Sequence, residues 1–110
     1  MEKTLLEQLK YPIGKYKVPD HITAGHLEKW IGVLEQLPQK LETMVSVLSE
    51  GQLETPYRPG GWTVRQLVHH ISDSHHNSYI RIIWGLTENN TVITRYFERE
   101  WAKLFDTRDA

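Results

Sequence analysis

Between Ile22 and Leu48 the apolar residues recur at steps of three and four: Leu27, Trp30, Ile31, Leu34, Leu37, Leu41, Met44, Val45 and Leu48. That spacing predicts a helix over 22–48 with one apolar face. Pro38 falls inside the run without breaking its phase. The segment therefore reads as one helix kinked near Leu37, or as two helices meeting end to end at the proline. A second run starts at Thr63, where Gln66 follows three residues later as in a capping box. Advancing about 100° per residue from Val64 places Leu67, Val68, Ile71, His75, Ser78, Tyr79, Ile82 and Leu86 within about 60° of one direction. This predicts a helix over 63–86.

The remaining segments read as connections. Residues 1–20 carry Pro12, Gly14 and Pro19 and predict an extended arm after a short helical turn. Gly51, Pro56, Pro59, Gly60 and Gly61 mark 49–61 as a connector. Residues 91–110 read as a further connector, extended over Thr91–Tyr96 and helical over Glu98–Leu104, with no closing element at 106–110. The fold class is all-α, with two long antiparallel helices as its frame. Two helices with one apolar stripe each make half of a four-helix bundle, so further helices are expected from a partner chain or a further segment.

Composition narrows the function classes. The chain has 110 residues, which fits a single domain. Lys plus Arg number 13 against 14 for Asp plus Glu, a net charge of -1 that argues against a nucleic-acid partner. No apolar run approaches the ~20 residues of a membrane span, and Met1-Glu2-Lys3 opens no signal core. Cysteine is absent, so disulfides, thiolate nucleophiles and thiolate metal sites are excluded. A soluble cytoplasmic domain is expected, and any metal it binds must use His, Asp or Glu. Six histidines and four tryptophans are many for this length, and four of the histidines lie between His69 and His76.

The helical wheel sorts those histidines. His69, Asp73 and His76 fall about 120° to 180° from Val64, with spacings that suit a shared metal ion. That direction points away from the apolar stripe, so a solvated face is the simpler reading. His70, Ser74, Asn77 and Arg81 form another stripe at about 220° to 280°, on the flank where a neighbouring helix would pack. It suits interhelical hydrogen bonds, or one ligand of a metal site shared between facing helices. His75 points toward the expected core as a packing residue, and His21 and His26 receive no role. Trp62, Trp84 and Trp101 read as core or interface anchors. Gly60-Gly61 lacks the spacing of a nucleotide-binding loop, and no nucleophile elbow surrounds Ser72, Ser74 or Ser78.

One stretch carries a family resemblance. Tyr57-Arg58-Pro59-Gly60-Gly61-Trp62-Thr63-Val64-Arg65-Gln66-Leu67-Val68-His69-His70, with Asp73-Ser74-His75 and Asn77-Ser78-Tyr79-Ile80-Arg81, resembles the DinB-like superfamily of four-helix bundles. Within it the chain is similar to the YfiT type, described as metal-dependent hydrolases and related to bacillithiol S-transferases. Tyr11-Pro12-Ile13-Gly14, Leu37-Pro38, Leu86-Thr87-Glu88 and Trp101-Ala102-Lys103-Leu104 extend the likeness over nearly the whole chain.

The resemblance implies a bundle holding nickel or zinc through three histidines. The first, eight residues after the Trp of the GGW loop, is His70 in this sequence. The other two belong to an H-x-x-x-H pair on a later helix of the family, and this sequence has no such pair. An N-terminal half of the bundle is therefore expected, inactive by itself. In a complete protein the metal would activate water for hydrolysis or a thiolate for transfer to an electrophile. Asn77 and Arg81 are candidate residues for orienting an anionic small-molecule substrate. The alternative is a non-catalytic helical module, two copies of which complete a four-helix homodimer.

Overall fold

A computed structural model describes residues 3–104 and 107. Five helices run in order: α1 (Lys3–Lys10), α2 (Ala24–Val45), α3 (Glu50–Leu53), α4 (Val64–Thr87) and α5 (Glu98–Trp101). The described residues hold no strand, only an isolated antiparallel bridge between Pro56 and Thr63. Met1–Leu53 and Glu54–Ala110 form two compact units.

In the first unit, α1 takes eight residues of the segment expected to be mostly extended. Its end is set by Tyr11, whose N–H donates to Glu7 O at 3.0 Å, and by a turn onto Gly14, where φ is +84°. The helix expected over 22–48 is shorter at both ends, Ala24–Val45, and continues through Pro38 as a single element. Its start is a reciprocal cap. Thr23 Oγ1 accepts from the His26 N–H at 3.2 Å, and His26 Nδ1 accepts from the Thr23 N–H at 3.0 Å. Histidine here does what Glu or Gln does in the usual capping box, a role that requires Nδ1 without a proton. The imidazole also stacks on Trp30, with centroids 5.6 Å apart. Ser49 and Gln52 repeat the reciprocal arrangement at the start of α3.

The second unit begins with the loop that aims α4. Gly61 N–H donates to Arg58 O at 3.0 Å across Pro59 and Gly60, and Gly60 has φ +69°. Proline followed by a left-handed glycine is the pattern of a type II turn. Tyr57 N–H then bonds Trp62 O, and Val64 N–H bonds Thr55 O, each at 3.1 Å. These bonds deliver Thr63 as the α4 cap. Its Oγ1 accepts from the Gln66 N–H, and Gln66 Oε1 accepts from the Thr63 N–H. The helix begins and ends within a residue of the expected 63–86.

Gln66 has a second partner. Its Nε2 donates 3.1 Å to Ala102 O, tying the segment after α5 to the first turn of α4. Ala102, 5% exposed, is the one buried apolar residue among those described. Beside it Arg65 is 7% exposed, and its Nε donates 2.7 Å to the Glu54 carboxylate. Arg65 and Gln66 therefore pack within the unit, although the wheel places them about 100° and 200° from Val64, outside the apolar stripe. On the apolar stripe, Tyr79, Ile82 and Leu86 are exposed, Leu86 by 79%. Residues 91–96 carry no regular secondary structure, and the helix expected over 98–104 covers Glu98–Trp101. The expectation for 106–110 lies outside the described residues apart from Thr107.

Candidate functional site

The turn that caps α4 also places a ring against its third turn. Trp62 and His70 meet with centroids 4.8 Å apart and planes inclined by 58°, a tilted aromatic contact. Eight residues separate them, and both are half-buried. A type II turn at Pro59-Gly60 and an N-cap at Thr63 leave the Trp62 backbone little freedom. The indole consequently restricts the His70 imidazole from one side.

The other histidines diverge. His69, expected on a solvated face, is half-buried, as is Asp73, whereas His76 is exposed. His75, expected to point into the core, is exposed. Both corrections have one cause. The wheel took the apolar stripe as buried along its whole length, but all of α4 from Val64 to Ile71 is at least half-buried, His69 included, and beyond it only Asp73, Ser74, Asn77 and Arg81 are. No group of three or more His, Asp or Glu side chains stands close enough to hold a metal ion among the described residues. His69, Asp73 and His76 form no such set.

Further along the stripe, Asn77 Nδ2 donates 2.8 Å to Asp73 O one turn earlier, which leaves its carbonyl oxygen as an acceptor. Arg81 crosses to the returning chain, where its Nη2 donates 3.3 Å to Thr94 O. Both are half-buried and both line a groove of ≈ 310 Å3. Its opposite wall comes from Tyr96 and Trp101, whose rings pack 4.8 Å apart, and Trp84 and Ile80 complete it from α4. His70 does not line this groove. Sequence reasoning missed Thr94 and Tyr96 as neighbours of Arg81. No local pattern reports the path by which an irregular segment folds back.

The family model of the DinB superfamily matches residues 33–110. "Putative metal-dependent hydrolase YfiT" of Bacillus subtilis (strain 168) is 52% identical over 102 residues, covering 93% of this chain and 57% of the relative. A relative with the same functional description from Geobacillus kaustophilus is 44% identical over 101 residues, covering 92% and 57%. The solved structure titled "YfiT from Bacillus subtilis is a probable metal-dependent hydrolase with an unusual four-helix bundle topology" matches with a TM-score of 0.87 at 51% identity. It covers 92% of this chain and 58% of that one. The chain thus spans somewhat over half the length of the relatives it matches.

Proposed function

The chain belongs to the DinB superfamily, and from that premise we propose that it contributes the His70-bearing helix to a metal-dependent hydrolase. The observation that carries the proposal is the contact between Trp62 and His70, which orients one histidine of an adjacent pair. The described residues do not by themselves fit a divalent ion. A catalytic zinc site uses three protein ligands and an open position, whereas here a single imidazole is so placed and no three-ligand cluster accompanies it. The proposed ion, nickel or zinc, therefore belongs to a protein of the relatives' length.

This chain's own residues support binding and orientation. Trp62 restrains His70, while Arg81 and Asn77 offer a guanidinium and an amide to an anionic substrate. Thiol transfer of the bacillithiol type is the finer form of the proposal, with a cytoplasmic location where thiols stay reduced. Metal analysis and hydrolysis assays on a protein of the relatives' length test the reading. Bound stoichiometric metal with ester or amide hydrolysis supports it, and a metal-free inactive protein overturns it.

A second reading has its own observation. The exposed stripe of Tyr79, Ile82 and Leu86 on α4 suits self-association into a homodimer. Sedimentation equilibrium of the 110-residue chain tests this. A monomer at micromolar concentration contradicts it.

A further inference from the structure

We propose that the groove between α4 and the returning segment 94–101 binds a small aromatic carboxylate, a substrate class that rests on reading Arg81 and Asn77 as anion-orienting residues. Three observations converge on that chemistry. First, Arg81 is half-buried and its bond is to a neutral acceptor, Thr94 O; among the described residues it pairs with no carboxylate. Arg65 and Arg95, by contrast, each meet a glutamate. A guanidinium has five N–H donors, so Arg81 keeps a fork of donors for a ligand oxygen pair. Second, the walls facing it are aromatic. Trp84 rises from α4 one turn beyond Ile80, and Tyr96 and Trp101 form a tilted pair opposite. Flat apolar surface of this kind favours a ring over an aliphatic chain. Third, ≈ 310 Å3 lies at the small end of ligand cavities, which run from roughly 300 to 1,000 Å3. A bicyclic acid fits this range, and a peptide does not.

The groove is also distinct from the exposed apolar stripe. Tyr79, Ile82 and Leu86 fall on one direction of α4, while Asn77, Arg81 and Trp84 lie more than about 100° round the helix. A helix that covers the stripe leaves the groove open.

The four tryptophans supply the test. Indole N–H resonances of the 15N-labelled 110-residue chain are followed during titration with 2-naphthoate, and with the neutral 2-naphthamide as control. The Trp84 and Trp101 signals should shift saturably with the acid, while Trp30 and Trp62 stay in place. The amide should bind about tenfold more weakly, the effect of losing a charge-assisted bond. In Arg81→Gln, with unchanged circular dichroism, the acid should lose that preference. Equal binding of acid and amide, equal shifts at all four indoles, or an Arg81→Gln chain that still prefers the acid would each overturn the proposal. So would Trp84 and Trp101 shifts that follow protein concentration instead of ligand, since a second copy would then fill the groove. Metal binding does not enter the titration, so a failed groove leaves the His70 reading standing, and a failed metal assay leaves the groove standing.

Discussion

Trp62 and His70 are held ring to ring, 4.8 Å between centroids, by a turn and the helix that it leads into. The loop turns at Pro59-Gly60, and the helix starts at Thr63. Removing the indole frees the imidazole without touching either backbone device. Trp62→Ala should therefore lower stability by about 1–2 kcal/mol, a partly buried aromatic pair plus lost area. The His70 ring protons should lose their ring-current shift in the proton NMR spectrum. Unchanged His70 resonances would show that Trp62 does not orient it.

Gly60 has φ +69°, where a Cβ costs roughly 1–2 kcal/mol. Gly61 has an ordinary φ but no room, since an added Cβ would meet Arg58 Cγ at 2.7 Å and Arg58 O at 3.1 Å. Both alanine variants should be destabilised in urea titrations, by different mechanisms. Gly60→Asn should recover part of the loss, because asparagine tolerates the left-handed region. No such rescue is expected at Gly61, where the obstacle is contact and not dihedral angle.

Gln66 uses its two ends separately, so two substitutions take it apart. Gln66→Glu keeps the acceptor for the Thr63 N–H and loses the donor to Ala102 O. Gln66→Ala loses both. The glutamate variant should leave the first turn of α4 protected from amide exchange while the segment around Ala102 opens. The alanine variant should expose both, at a cost of about 1–3 kcal/mol. Equal exchange at Ala102 in wild type and Gln66→Glu would contradict this.

The two long helices and their caps were legible because their signals are local: apolar spacing, Thr63 with Gln66, and breakers around each end. The start of α3 carries the same kind of signal at Ser49 and Gln52, but it sits among glycine and proline, whose pattern is that of a connector. What was not legible is tertiary. Hydropathy assigns Arg65 to the surface, yet the segments around Glu54 and Ala102 close over it. Burial takes in all of α4 from Val64 to Ile71 and beyond it the side that bears Asn77 and Arg81, so the expected environments of His69 and His75 are exchanged. His26 received no role because histidine is an unusual third residue in a capping box. Arg81 and Asn77 were identified as a pair by their helical spacing, whereas the aromatic wall facing them depends on where Thr94–Trp101 returns.

The adjacent pair His69 and His70 allows the most direct test of the account. Both are half-buried, but the Trp62 indole packs on His70. The measurement is metal content by atomic emission spectroscopy, after loading with nickel or zinc, on a protein extended to the length of its relatives. His70→Ala should abolish tight binding, because a three-ligand site tolerates the loss of one ligand poorly. His69→Ala should keep the metal and lose at most a modest amount of stability. Retention of metal by His70→Ala together with its loss from His69→Ala would contradict the assignment.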